Sequence, residues 1–198
     1  MTKAIIFDFG GVVGTPENFE KLREKYSKLF GISPDELRPV FRKNWMLWKT
    51  NKINEKKFWD NISNELKFKY NLKQVKKVGR NMFKVDNNIV SLAKELKNKY
   101  KIYILSNHSK EWFNHITTKY NLNELFEGIF TSYEAKSAKP EKEIYLKFLK
   151  KFNLKSEECI FIDNRQDNIK TSKELGFKGI FFENFKQLKK ELIKLGVN

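Results

Sequence analysis

The sequence predicts an α/β protein, a doubly wound, Rossmann-like parallel sheet with an α-helical bundle inserted after its first strand. Three observations lead there. Short unbroken apolar runs such as Ala4-Ile5-Ile6-Phe7, Ile102-Tyr103-Ile104-Leu105 and Cys159-Ile160-Phe161-Ile162 read as strands buried on both faces. Beyond residue 87 these runs alternate with segments of helical spacing, the order of a parallel sheet with helices on both faces. Between Val13 and about Phe83, by contrast, helical spacing continues for about seventy residues, so that stretch is an insertion.

The first strand ends in Asp8, and two glycines follow, of which Gly10 is expected to let the backbone turn tightly. From about Glu17 to Phe30, residues Phe19, Leu22, Tyr26, Leu29 and Phe30 fall on one helical face, and Gly31 stops the helix. Ser33-Pro34-Asp35-Glu36 then supplies a capping serine, a proline at the first position and a glutamate at the third, opening a helix to about Trp48. A third helix starts near Asn54 with Phe58, Ile62 and Leu66 on one face, and a fourth spans about 73–83. A helix over 87–99 leads to the strand 102–105, which ends in Ser106-Asn107. There follow a helix over 109–120, a strand over 128–131, a polar loop containing Lys139-Pro140 and a helix over 141–152. The strand 159–162 ends in Asp163-Asn164; a helix over 166–175, a strand over 179–182 and a helix over 185–195 complete the chain. Residues 1–14 and 85–198 are thus the expected core, and 15–84 the inserted bundle.

The chain has 198 residues, enough for one ordinary core plus such an insertion. No apolar run approaches the roughly 18 residues of a spanning helix, and the N-terminus lacks signal-peptide order, so a cytoplasmic protein without membrane contact is expected. Cys159 is the single cysteine and, set among apolar residues, reads as a core or strand-edge residue. The net charge of +16 favours anionic, phosphorylated substrates. Its lysines are spread along helix faces that also carry glutamate, which argues against a dedicated nucleic-acid surface.

Parallel strands put Asp8, Ser106-Asn107, Lys139 and Asp163-Asn164 on one edge of the sheet, where open α/β folds bind ligands. Two carboxylates, a hydroxyl, an amide and an ammonium are the parts that phosphoryl transfer with magnesium needs. Taken singly, each has a plainer reading: Ser106-Asn107 as a helix cap, Lys139 as a surface lysine before a proline, Asp163 as a turn residue.

Together these motifs resemble those of the haloacid dehalogenase-like hydrolases, and the inserted bundle resembles the helical cap that many members carry after the first motif. The opening Phe7-Asp8-Phe9-Gly10-Gly11-Val12, with Ile104-Leu105-Ser106-Asn107 and Ala138-Lys139-Pro140, is similar to the group of sugar-phosphate phosphatases and the phosphatase half of soluble epoxide hydrolase. The resemblance implies a magnesium-dependent phosphatase acting on a small phosphorylated metabolite, as a monomer or homodimer. It makes Asp8 the nucleophile that forms an aspartyl-phosphate, Ser106 the phosphoryl-binding hydroxyl and Lys139 the bridge between nucleophile and phosphate. Asp8, the Gly10 carbonyl, Asp163 and Asn164 are the implied magnesium ligands; Gly10, Gly11, Asn107 and the cap residue Arg42 are the implied substrate contacts.

The chain departs from the pattern twice. Gly10 stands where many such phosphatases have an aspartate that serves as general acid and base, help typically worth about 10²–10⁴ in rate. Asn164 stands where a charged ligand is usual, and Asp163 or Asp167 is expected to compensate, with Asp167 and Asn168 equally readable as helix caps. Acyl phosphates and anomeric sugar phosphates, whose leaving groups need little protonation, are the substrates least affected. Two other readings remain: a phosphate-binding or regulatory member without catalysis, and a metal-free 2-haloacid dehalogenase, which Asp163 disfavours. In the cap, Trp45, Trp48 and Trp59, with Phe41, Arg42 and Lys43, are expected over the pocket as an aromatic and basic wall, with bundle packing as the alternative, preferred for Trp59. His108 and His115 read as surface or cap residues.

Overall fold

The computed structural model of the chain describes residues 1–14 and 19–197. Strand β1 (Ala4–Phe7) is followed by four helices, α1 (Phe19–Phe30), α2 (Pro34–Lys49), α3 (Glu55–Leu66) and α4 (Leu72–Arg80). The alternating part then runs α5 (Asn87–Leu96), β2 (Lys101–Ser106), α6 (Lys110–Lys119), α7 (Leu122–Leu125), β3 (Gly128–Thr131), α8 (Ser132–Ala135), α9 (Lys142–Phe152), β4 (Cys159–Asp163), α10 (Gln166–Glu174), β5 (Lys178–Phe181) and α11 (Phe185–Lys194). Every helix and strand that the spacing marks is present. The short helices α7 and α8 fill stretches where no periodicity can build up in four residues. The expected start of the first helix at Glu17 lies outside the described residues, and Leu29, placed on its apolar face by spacing, is exposed.

The five strands form one parallel sheet in the order β3-β2-β1-β4-β5. Phe7 pairs with Ile104 on one side and Ile162 on the other, which brings the residues after Phe7, Leu105 and Ile162 to one edge. Side chains of β1 alternate: Ile5 and Phe7 pack with Ile104, Ile162, Leu92 and Leu188 on one face, Ala4 and Ile6 with Leu105, Tyr145, Phe148 and Phe161 on the other. Both faces are covered, so continuous apolar runs rather than alternating ones encode these strands. No helix among the described residues is long and apolar enough to cross a membrane.

The inserted helices are built as their caps dictate. Ser33 and Glu36 close a reciprocal capping box, each at 3.2 Å from the other's main-chain N–H, and Asn54 Oδ1 accepts from Lys57 N at 2.8 Å. Their aromatic residues turn inward. Trp48 and Trp59 are wholly buried, Phe41 and Trp45 nearly so, and Tyr26 lies edge-on to Trp59 at 4.5 Å between ring centroids. Bundle packing therefore accounts for Trp59, as preferred, and also for Trp48, which the sequence placed in a wall over the pocket.

The same residues weld the insertion to α6. Trp48 Nε1 donates to Glu111 Oε2 at 2.9 Å, while Trp112 Nε1 donates to Glu55 Oε1 at 3.3 Å, so neighbours on α6 exchange indole–carboxylate bonds with α2 and α3. Glu55 is 3% exposed, with Lys76 and Arg80 of α4 at 3.5 and 3.6 Å; these are ion pairs longer than a well-formed hydrogen bond. Burial pushes the Glu55 carboxyl up, and the two cations pull it back only in part.

Candidate active site

Asp8 is set by its strand. Its N–H donates to Ile162 O at 2.8 Å, extending the β1–β4 ladder by one residue and laying Asp8 beside Asp163. The chain then turns at once, with Val13 N and Gly14 N bonded back to Asp8 O and Phe9 O at 3.4 and 2.7 Å. The left-handed conformation in this turn belongs to Gly11, at φ +81°, and not to Gly10, which corrects the expectation that Gly10 makes the tight turn possible.

Lys139 arrives from the loop before α9 and is 1% exposed at its side chain. Its ammonium has three oxygen partners at ideal distance: Asp8 Oδ1 at 2.8 Å, Asp163 Oδ2 at 2.7 Å and Leu105 O at 2.7 Å. Three donors meet three acceptors from β2, from β4 and from the residue just past β1. Burial pushes the Asp8 carboxyl up from 3.8 to about 6; the Lys139 cation draws it down and the Asp163 charge pushes it up again. Burial alone would lower the Lys139 ammonium, but the Asp163 and Asp8 carboxylates outweigh it and raise the pKa, so Lys139 is charged at neutral pH.

Asp163 is fully buried, and its carboxylate is occupied. Oδ2 accepts from Lys139 and from Asn168 Nδ2 at 2.9 Å, and Oδ1 accepts the Arg165 N–H at 2.8 Å. Asp163 thus serves as a counter-charge for the Lys139 ammonium, with a single hydrogen bond on its other oxygen. Asn168, read from the sequence as a helix cap, is buried against Asp163, whereas Asp167 is exposed.

Ser106 ends β2, paired in register with Thr131 and 1% exposed, between the Leu105 carbonyl that holds Lys139 and Asn107. The Asn107 amide is engaged with the main chain of Lys139 on both its atoms, at 2.8 Å each. Arg42 is exposed on α2 beside Arg38, Pro39, Lys43 and Met46, and none of its contacts among the described residues joins it to the Asp8–Lys139 cluster.

Among the described residues no three acidic, histidine or cysteine side chains gather to hold a metal. The remaining oxygen donors still suit magnesium in kind: the Asp8 carboxylate, the Gly10 carbonyl, which accepts no hydrogen bond among the described residues, and the Asn164 amide. Asn164 lies directly over Gly11, where an added Cβ would come within 2.2 Å of its Nδ2. One formal charge in this set predicts weaker binding than a set with two carboxylates.

His108 is not the surface residue that the sequence suggests. It is wholly buried, ringed by Phe9, Trp45, Phe83, Trp112 and Phe113 at 5.1–6.3 Å between centroids. Neither ring nitrogen has a hydrogen-bond partner, and burial drives its pKa down to about 3, with the Ser109 main chain opposing. A histidine kept neutral when folded but titrating near 6.5 when unfolded favours the unfolded chain as pH falls below 6.5. Between pH 7 and 5 this term is about 2 kcal/mol, or about 4–8 °C in melting temperature for a chain of this size. His108→Phe is expected to remove that share of the acid sensitivity; equal falls in the two melting temperatures would refute it. Cys159, by contrast, is the inert core residue expected, its thiol pushed by burial up to about 12.

The assembled site offers a buried carboxylate, a fixed cation beside it and a hydroxyl at the neighbouring strand end. A profile of the haloacid dehalogenase-like hydrolases matches residues 2–176. The chain is 24% identical over 203 aligned positions to D-ribitol-5-phosphate phosphatase of Bacteroides thetaiotaomicron, covering 97% of each. It is 38% identical over 87 residues to the chloroplast flavin mononucleotide hydrolase 1 of Arabidopsis thaliana, a match of 44% of this chain and 36% of that protein. Its fold is that of a haloacid dehalogenase family enzyme of B. thetaiotaomicron solved with magnesium, at a TM-score of 0.82, 23% identity and coverage of 95% and 98%. The chain thus belongs to the haloacid dehalogenase-like hydrolases and is a hydrolytic enzyme with phosphatases among its relatives.

Proposed function

We propose that this protein is a magnesium-dependent, cytoplasmic phosphatase of small phosphorylated metabolites, with residues 15–84 acting as a helical cap on a core of 1–14 and 85–198. The observation that carries this reading is the ion triad Asp8–Lys139–Asp163 at the carboxyl edge of the sheet. Asp8 attacks phosphorus through a carboxylate oxygen; the bond to the leaving oxygen breaks, and that oxygen keeps the electron pair. Lys139 offsets the repulsion between the nucleophile and the phosphoryl oxygens, and Ser106 donates to one of them. Water then attacks the acyl phosphate, releasing inorganic phosphate and restoring the Asp8 carboxylate, with one proton passing to solvent. Magnesium, held by Asp8, the Gly10 carbonyl and Asn164, would neutralise charge on the phosphoryl oxygens.

Gly10 supplies no proton to the leaving group, so the reading narrows to phosphates whose leaving groups are stable as anions, acyl and anomeric sugar phosphates first. Purified protein with magnesium is expected to release phosphate from acetyl phosphate, with the rate falling on chelation. Release no faster than from an Asp8→Asn control would overturn the proposal. The uncharged Gly10 and Asn164 favour a second reading, a phosphate-binding module, which predicts thermal stabilisation by inorganic phosphate without turnover.

A further inference from the structure

We propose that Asn107 is a positioning residue: it fixes Lys139 against Asp8 by gripping the lysine's main chain, and does so in place of the substrate contact expected of it. The proposal rests on Lys139 facing a phosphate in the site just described. Asn107 Nδ2 donates to Lys139 O and Lys139 N donates to Asn107 Oδ1, both at 2.8 Å. A side-chain amide here does what a neighbouring strand does, pairing with the donor and the acceptor of a single residue. Inside the loop, Ser137 Oγ and Ala138 N bond to Glu141, which shapes the loop without tying it to the sheet. Asn107 follows directly on β2 and provides that tie.

The lysine is thereby held at both ends. Its ammonium is fixed by Leu105 O, Asp8 and Asp163, its main chain by Asn107, and the flexible stem between has no room to swing. A free lysine side chain would lose rotamer entropy on each encounter with phosphate, and this one has lost it in advance. Leu105 and Asn107 flank Ser106, so one strand end sets the lysine and the phosphoryl-binding hydroxyl together.

The test is a double-mutant cycle on the binding of inorganic phosphate, measured by isothermal titration calorimetry, with Asn107→Leu, Lys139→Met and the two combined. Asn107→Leu is expected to weaken phosphate binding about tenfold in the wild-type background and to cost nothing further once Lys139 is gone. An equal loss in both backgrounds would show that Asn107 meets the phosphate itself and overturn the proposal, as would wild-type affinity in Asn107→Leu. Amide hydrogen exchange at Lys139 in the unaltered protein needs neither variant nor ligand: protection is expected, and exchange at the rate of an open loop overturns the proposal. Phosphate binding without turnover would sink the phosphatase reading and leave this one standing.

Discussion

Lys139→Met is expected to lower turnover by about 10²–10³-fold and to destabilise the fold by about 3–5 kcal/mol, because it removes the one cation from a buried cluster of three charges. Methionine fills most of the space of the lysine stem, so the loss is electrostatic. Asp8 and Asp163 would then face each other buried and uncompensated, and the Asp8 carboxyl, already pushed up to about 6, would rise further. A carboxyl whose folded pKa lies above its unfolded value favours the folded chain below the unfolded value and loses that contribution as pH rises through the folded one. The variant should therefore lose stability relative to the wild type as pH rises from 5 to 8, and Asp8 should be largely protonated at neutral pH, unable to attack. Denaturant unfolding at both pH values and phosphate release from acetyl phosphate read the two effects. A variant as stable at pH 8 as the wild type, with undiminished turnover, would show that Lys139 is not the cluster's counter-charge.

The fold was legible because its strands announce themselves. Runs such as Ile5-Ile6-Phe7 and Ile160-Phe161-Ile162 are buried on both faces of the sheet, and helices separate them at regular intervals. The site was legible for a related reason: in a parallel sheet every strand ends at the same edge, so Asp8, Ser106 and Asp163 meet whatever their separation in sequence. What stayed hidden is the direction in which side chains spend their hydrogen bonds. Residue type offers Asp163 equally to a metal and to an ammonium, and nothing in it shows that Arg165 N–H, Asn168 and Lys139 all bond to its oxygens. Asn107 is hidden in the same way, since its partner is the main chain of a residue 32 positions away. Trp48 misleads because an aromatic helix face looks alike whether it walls a pocket or packs a bundle. His108 misleads because Trp112 and Phe113 on the next helix are only part of its enclosure, and nothing local shows that Phe9, Trp45 and Phe83 complete it.

Gly10→Asp is expected to raise turnover of alkyl phosphates, such as glycerol phosphate, by about 10²–10⁴-fold while changing that of acetyl phosphate little. The turn after Asp8 decides whether such a side chain can be borne. Gly11 carries the positive φ and the close approach to Asn164, so a side chain there is strained and crowded at once. Gly10 has neither constraint on its φ nor a hydrogen bond on its carbonyl among the described residues, so its backbone accepts an L-residue and keeps the carbonyl offered to magnesium. The new carboxyl, two residues past the nucleophile, would donate a proton to the departing alkoxide and then take one from the attacking water, which the present site leaves to solvent. An acyl phosphate departs as a stable carboxylate and has no use for that proton, so the ratio of the two rates isolates acid catalysis from any change in folding or phosphate binding. Parallel gains on both substrates would mean that the added carboxyl works through the metal, and no gain on the alkyl ester would mean that leaving-group protonation is not what limits this enzyme.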